Sequence, residues 1–571
     1  MLENKVSQHL NSLFIFTNTD ILTLMLTILF SVMPTMSMLS SNLYLFWCAH
    51  EHIDFRIPEF ESITKILDIP LKIIATYNEK INDENSDIDC ELSSDLQVIT
   101  KNSCLATNCQ NGKNQEVPPW VILELSSENE AQQILSRSIS TKYCIHLWSS
   151  STKRKDLHTK NKAFIDQNIE KLEKDYFGTN HSFKIIIDAF MKKFHNKEKH
   201  ERIESFSYIP FKGEVSLKDP QVTLVSLEFY GYDHNNLPEE PFNLFFGRLI
   251  GDGQRDLISQ FSLKKRCFIG NTSMDPQLSF LMTNLACVRT GSLMLDPFCG
   301  TGSLMLCAAR FGAHVVGTDI DYLTLHARTK PSRVNCGKKR ASDESLRRNF
   351  IQVGGKKLES KFLGVIVADA SNPPYHKDLG LMFDAIITDP PYGIREPAEK
   401  VGIKRREYPD DYKIPEEHLP LHFPQKIDYE LGTIYTDLVQ FASKHLVIGG
   451  RLVYWIPVNR EHYAKNQEDS LPKHSKLKLI SNCEQILNSH TSRRCITMER
   501  IAEDETILEN KEKQKPDTTC DSMVTSSDLV KETTEKFKSN FFKSQEITRQ
   551  ERKERIKKYG HLNLDTQRAV E

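Results

Sequence analysis

The stretch GSLMLDPFCGTGSLMLCAARFGAHVVGTDID, Gly291–Asp321, decides the fold of this 571-residue chain. Leu293–Leu295 is a short apolar run that stops at Asp296. Ser303–Phe311 reads as a helix, and Ala313–Gly317 is a second apolar run before Asp319. Strand, tight loop, helix and strand in that order make a βαβ unit with parallel strands. In the loop DPFCGTGS, Gly300 and Gly302 let the backbone turn sharply and let a ligand approach it. The helix that follows offers free N–H groups at its first turn. A carboxylate at the end of the second strand, Asp319, is placed to bind ribose hydroxyls. A glycine loop by itself is equally well explained as a structural turn. Its spacing is not GxGxxG, which favours a nucleoside-type ligand over a nicotinamide dinucleotide.

The same rhythm continues downstream. Phe362–Ala368 reads as a strand before Asp369, and Phe383–Thr388 as a strand before Asp389. Tyr435–Leu446 reads as a helix, Gly449–Gly450 as a turn and Arg451–Ile456 as a strand. Buried apolar strands alternating with helices predict an α/β fold, a doubly wound and mostly parallel sheet. Ligands of such sheets bind at the C-terminal ends of the strands, where these aspartates stand. In TDPPYG, Thr388–Gly393, Pro390 and Pro391 stiffen the loop and fix the direction of the Pro390 carbonyl, while Tyr392 offers a flat face. Asp369, in VADAS, is placed to bind an adenine amino group; a turn-capping aspartate is the other explanation.

These residues share a chemical logic. The exocyclic amine of a nucleobase is a poor nucleophile because its lone pair is delocalised into the ring. Asp389 and the Pro390 carbonyl can accept its two N–H bonds and expose the lone pair to an electrophile, while Tyr392 stacks on the base. With a sulfonium methyl as electrophile, positioning supplies most of the catalysis. Asp389 need not be a strong base, since a carboxylate titrates near ~3.9; it accepts the proton once the methylated amine turns acidic. The target base must leave its stack to reach such a pocket.

Upstream, Leu43, Leu45 and Trp47 alternate like a half-buried strand, and Ile57–Leu67 reads as a short helix. Val117–Leu125, Tyr143–Trp148, Phe183–Ala189 and Val222–Tyr230 read as strands, and Ser127–Ser136 and Lys153–Lys174 as helices, which predicts α+β modules over residues 43–235. Asn82–Ser94 is an acidic loop. Lys plus Arg is 74 against 76 Asp plus Glu, a net charge of −2, which excludes a global basic field and leaves nucleic-acid contact to local patches. Thirteen cysteines without a CxxC pair argue against a zinc ribbon or disulfide framework and for reduced, buried thiols, so no metal ligand is expected. Ile21–Met33 is apolar but shorter than the ~20 residues that span a bilayer, and a signal peptide would carry a stronger basic flank than Lys5 alone. Translation from Met36 or Met38, or an artefactual extension, is preferred over a membrane anchor. The expectation is a cytoplasmic protein with no stable membrane association.

The motif order of glycine loop, acidic strand end and DPPY resembles class I S-adenosylmethionine-dependent methyltransferases of the amino type. N6-adenine DNA methylases and N2-guanine RNA methylases share that order. Longer segments narrow the resemblance: RCFIGNTSMDPQLSFLMTNLA (Arg266–Ala286), GTDIDY (Gly317–Tyr322), FDAIITDPPYGIRE (Phe383–Glu396), GGRLVYWIPV (Gly449–Val458), SNCEQILNSHTSRRCITME (Ser481–Glu499) and LYLFWCAHEHIDFRIPE (Leu43–Glu59). They look like the catalytic subunit of the eukaryotic tRNA guanosine-10 N2-methyltransferase family. The resemblance implies a Rossmann-like methyltransferase domain preceded by α+β N-terminal and THUMP-like RNA-binding domains, S-adenosylmethionine as cofactor and N2-methylguanosine in tRNA as product. It also implies a heterodimer with a small zinc-binding activator subunit. By matching position, Asp296, Gly300 and Gly302 belong to the cofactor loop, Asp319 to the ribose, Asp369 to the adenine, and Thr272 and Ser273 to the cofactor's amino-acid end. Asp389, Pro390, Pro391 and Tyr392 form the catalytic motif.

The expected division is an extension over 1–42, an N-terminal plus THUMP-like region over 43–235, a linker and cofactor-proximal segment over 236–290, the methyltransferase domain over 291–502 and a charged, disordered tail over 503–571. Lys264–Lys265–Arg266, Lys338–Lys339–Arg340, Arg347–Arg348 and Lys404–Arg405–Arg406 are solvated surface by default and candidates for phosphate contact. His490 is read as structural or RNA-contacting, because methyl transfer needs no histidine. A non-catalytic scaffold and a DNA-adenine enzyme are the competing readings. Intact DPPY and DPFCGTG argue against the first, and the N-terminal half argues against the second.

Overall fold

Strand β1 (Leu43–Cys48) has all six side chains buried, including the aromatic pair Phe46 and Trp47. The computed structural model describes residues 42–75, 117–233, 235–331, 340–375, 380–394, 396–402, 413, 416, 424–460, 463, 471–488, 490–502 and 537. The N-terminal extension, the acidic loop, the tail apart from Phe537, and the clusters Lys338–Lys339 and Lys404–Arg405–Arg406 lie outside them. Helix α1 (Arg56–Leu67) follows β1, and strands β2 (Lys72–Ala75) and β3 (Trp120–Glu124) pair antiparallel. Helix α2 (Glu128–Leu135) starts at Ser127, whose hydroxyl accepts from Glu130 N.

Contacts divide the chain into two units: Ile145–Leu249 with the chain up to Tyr44, and Leu45–Cys144 with everything from Ile250 onward. The first unit holds most of β4 (Thr141–Ser151), helix α3 (Arg154–Leu172) with a π-helical turn at Glu173–Phe177, strand β5 (Phe183–Phe190), helix α4 (Asn196–Glu204), strand β6 (Val222–Phe229) and most of β7 (Asn243–Asp252). β5 and β6 run parallel because the segment carrying α4 crosses between them, while β6 and β7 are antiparallel. Trp148 centres the core, stacked on Phe164 at 5.2 Å and edge-on to Phe246 at 5.9 Å. The buried Glu228 carboxylate sits between Arg154 and Arg202 at 2.9 and 3.0 Å, so its charge is paired twice.

The second unit continues with helices α5 (Asp256–Gln260) and α6 (Pro276–Leu285). Asp275 caps α6, accepting from Gln277 N at 2.8 Å, and Pro276 suits the first turn. Then come β8 (Leu293–Asp296), α7 (Ser303–Arg310), β9 (His314–Asp319), the single turn α8 (Tyr322–Leu325), α9 (Leu346–Glu359), β10 (Phe362–Val367), β11 (Phe383–Thr388), the small hairpin β12 (Glu399–Val401) with β13 (Lys426–Asp428), α10 (Leu431–His445), β14 (Leu446–Asn459), β15 (Leu477–Ile486) and β16 (Thr491–Arg500). The sheet runs β10-β9-β8-β11-β14-β16-β15. Its first five strands are parallel, and β16 and β15 are antiparallel. The expected mostly parallel α/β sheet is therefore present, with an antiparallel hairpin closing one edge.

Strand β11 explains the two-sided burial. Ala385 and Ile387 face a core with α6, α7 and α9, and Phe383 and Ile386 face α10, all fully buried. Ile434, Tyr435, Leu438, Val439 and Ala442 make the matching stripe on α10. The expected Gly449–Gly450 turn is a bulge within β14: the register jumps from Phe383↔Leu446 to Ala385↔Arg451, and Gly449 takes φ 78. Strand order reverses at β8, whose neighbours are β9 and β11, and the crevice at the strands' C-terminal ends opens there.

Candidate active site

Four strand ends deliver four aspartates to one edge of the sheet. Pairing sets Asp296 beside Gly317, Ile386 beside Leu295, and Val367 beside Asp319. Asp296 and Asp319 end β8 and β9, Asp389 follows β11, and Asp369 lies two residues past β10. Motifs far apart in sequence are tied directly: Thr388 Oγ1 donates to Asp296 Oδ1 at 2.7 Å. Burial pushes the Asp296 carboxyl up to about 7, although Thr388 and the Phe298 N–H draw it down.

The glycine loop is latched to β9. Asp319 Oδ2 accepts from Gly300 N, and Oδ1 from Asp321 N, both at 2.8 Å. Burial pushes Asp319 up to about 6 against those two bonds. Gly302 precedes α7 at φ 76, a left-handed conformation that strains any side chain, and an added Cβ would also press on the Leu346 side chain. At Gly300, φ 46, the same Cβ would meet nothing within 4 Å, which leaves open space over the loop. Arg266 locks the start of α7 from below: it is 2% exposed and donates to Ser303 Oγ at 2.7 Å and to Phe261 O at 3.0 Å.

Thr272 and Ser273 meet this loop. Ser273 Oγ shares a 2.6 Å hydrogen bond with Thr301 Oγ1 and accepts from Gly270 N at 2.9 Å, while Thr272 donates to the Glu396 carboxylate. Asp369 accepts from Ser371 N and from Val401 N, both at 2.8 Å, so it fastens the β12–β13 hairpin to the sheet. Beside it lies an apolar pocket lined by Pro297, Phe298, Ala370, Tyr375, Tyr429 and Phe441.

In the DPPY segment the Tyr392 hydroxyl donates to Asp389 Oδ1. Arg493 Nη1 lies 3.5 Å from Asp389 Oδ2 and 3.5 Å from the Tyr392 oxygen. Burial pushes the Asp389 carboxyl up, and Arg493 and the Tyr392 hydroxyl pull it down. Phe537 packs edge-on to the Tyr392 ring, centroids 6.4 Å apart. Sequence reasoning missed Arg493 and Glu396, which no motif spacing marks. A paired Arg493–Arg494 inside an apolar alternation was the one available signal, since neighbouring strand residues face opposite ways. Two expected surface arginines are built in instead: Arg266, and Arg340, which bonds Glu344 at 2.8 Å over the Phe268 ring. His490 is exposed.

The site is acidic, with glycine-lined space above it. Its carboxylates suit a ligand bearing positive charge and a diol. S-adenosylmethionine carries both, so these residues fit the charged end and the ribose of that cofactor. Two family models match the chain: Tmrp11 THUMP N-terminal domain over residues 103–255, and RMKL-like, methyltransferase domain over 264–404. The chain is similar to the tRNA (guanine(10)-N(2))-methyltransferase TRMT11 of Mus musculus, 42% identical over 83% of this chain and 90% of that protein. It is also similar to that of Homo sapiens, 40% identical over 81% and 88%, and of Dictyostelium discoideum, 32% identical over 82% and 84%. Among solved structures, TrmN from Thermus thermophilus aligns over 80% of this chain and 100% of its own at 16% identity, with a TM-score of 0.33.

Proposed function

The chain belongs to the tRNA (guanine(10)-N(2))-methyltransferase family, and on that premise we propose which of its residues carry the reaction. The protein is an S-adenosylmethionine-dependent enzyme that methylates N2 of guanosine 10 in tRNA. The cofactor supplies an electrophilic methyl on a sulfonium. Gly300 leaves room for it and Gly302 makes the turn into α7, Asp296 and the Thr272–Ser273 segment face its charged end, Asp319 takes the ribose, and Asp369 takes the adenine. Asp389 and the Pro390 carbonyl receive the two N–H bonds of the guanine amine, with Pro391 holding the loop stiff. Tyr392 stacks on the base after it leaves the tRNA stack. As the new bond forms, the amine proton becomes acidic and passes to Asp389.

The observation that carries this assignment is the Thr388–Asp296 hydrogen bond, which joins the amine-binding loop to the cofactor loop. The experiment is methyl transfer from labelled S-adenosylmethionine to tRNA by the native chain and by Asp389→Asn. The variant should bind cofactor normally and lose at least ~100-fold in turnover, the usual reach of a positioned proton acceptor. Full activity in the variant would refute the role of Asp389.

The activator subunit is a further part of the proposal. Edge strand β10 supports it: Leu363, Ile366 and Val367 are 58%, 44% and 44% exposed, and among the described residues no strand pairs with its outer edge, a surface that pairs readily with a partner strand. The division of the chain at 43–235, 236–290 and 291–502 and a cytoplasmic location are proposed on the same footing. The described cysteines are free thiols, and no helix among the described residues is long and apolar enough to cross a membrane.

A further inference from the structure

Arg493 lies outside every motif that marks the cofactor or the target base, yet its charge ends beside Asp389. Strand alternation on β16 sends Arg494 toward Glu484 and Tyr463, and Arg493 to the opposite face. There the guanidinium carbon sits 4.2 Å over the Trp455 ring. Nε donates to Gln485 Oε1 at 2.6 Å, and Nη2 lies 3.6 Å from Met274 Sδ. These three anchors are neutral, so they fix the direction of the cation without consuming its charge. Among the described residues, Asp389 is the carboxylate within ion-pair distance of it.

We propose that Arg493 is a positioning residue of the methyl transfer: clamped on Trp455 by Gln485, it pairs with Asp389 and holds the Asp389–Tyr392 couple where the guanine amine is received. The proposal rests on the assignment of Asp389 as amine acceptor. The two Asp389 oxygens have different duties. Oδ1 is taken by the Tyr392 hydroxyl. Oδ2 faces Arg493 at 3.5 Å, an ion pair too long for a strong hydrogen bond, and so keeps lone pairs for an incoming N–H.

Only an ionised carboxylate accepts from an amine without competing as a donor. Burial and Glu396 favour the protonated form of Asp389, whereas Arg493 and the Tyr392 hydroxyl favour the ionised one. Asp296 is a further acidic neighbour. Tyr435 and Cys495, which also sense Asp389, are held neutral by burial, and burial draws His52, which senses Arg493, toward its neutral form. Arg493 is thus the cation that offsets the acidic surroundings of Asp389, and without it the carboxyl keeps its proton to higher pH.

The test is the pH profile of single-turnover methyl transfer to tRNA at saturating cofactor, using the full chain, alone and with the proposed activator subunit. Native protein, Arg493→Gln, Arg493→Lys and Asp389→Asn are compared. Arg493→Gln should move the acid limb up by about one pH unit or more, so that the rate falls about tenfold on the acid side and recovers at alkaline pH. Cofactor Kd should be unchanged, and Arg493→Lys should bring the limb back toward the native position. A uniform loss at all pH values with an unmoved limb would overturn the proposal and leave Arg493 a packing residue. Should Arg493→Gln not fold, Gln485→Leu frees Nε while keeping the charge. A smaller shift of the same sign supports the proposal, and an unmoved limb overturns it. Asp389→Asn separates the two assignments, because full activity there sinks the role of Asp389 itself.

Discussion

At the scale of single residues, the site stores its chemistry in carboxyls that a folded interior disfavours as anions. Asp296 is pushed up to about 7 and Asp319 up to about 6, burial being the main cause for both. With the folded values above the unfolded one of ~3.9, their contribution to stability is complete below about pH 4 and is lost as pH rises through 6 to 7. These two groups should therefore make the cofactor-free protein melt at lower temperature at pH 8 than at pH 5.5. A ligand carrying a sulfonium and an ammonium favours both anions. Its binding near pH 6.5 should release about one proton, read as a binding enthalpy that varies with the ionisation enthalpy of the buffer, an effect that fades by pH 8.5. A buffer-independent enthalpy at pH 6.5 would show that the two carboxyls are already ionised.

Elements decide where those residues stand. The short apolar runs that end at Asp296, Asp319 and Asp389 were legible as strands of a parallel sheet, because burial on both faces removes polar alternation. The helix bounds shifted by a few residues: Tyr435–Leu446 became Leu431–His445, since Leu431 also packs on the α10 side of the core. Strands β15 and β16 were not legible as strands. SNCEQI and TSRRC mix charge into a partly buried hairpin, where Glu484 pairs with Arg494 at 3.5 Å and with Arg460 of the chain after β14 at 3.3 Å. Strand β10 has the opposite character, apolar and open at the sheet edge. If the proposed activator subunit docks there, Leu363→Asp with Ile366→Asp should abolish its co-purification while the isolated chain keeps its fold by circular dichroism. Retained co-purification would place the partner elsewhere.

At the scale of the whole molecule, helix α1 is built into the unit that carries the candidate site, although 225 residues separate its Glu59 from Asn284 in sequence. Glu59 on α1 is fully buried and accepts from Ile139 N at 2.8 Å, Ser140 N at 2.9 Å and Asn284 Nδ2 at 2.8 Å. Arg451 of β14 donates to Ser62 Oγ of α1 at 3.0 Å and to Leu285 O at 2.8 Å. Glu59→Ala would strand three buried donors, and should cost about 3 kcal/mol or more, measured as a lower denaturation midpoint, with Glu59→Gln recovering part of it. An unchanged midpoint would mean that water or a local shift replaces the acceptor. The sequence by itself determined the class of sheet, the glycine loop and the aspartates at the strand ends. These are local consequences of two-sided burial and of turns that require glycine or proline. Tertiary structure alone decided that Glu59 fastens the N-terminal helix to Asn284, that Glu396 caps Thr272, and that Arg493 reaches Asp389 across 104 residues. A buried charge chooses its partner by proximity in space, and no spacing along the chain encodes that choice.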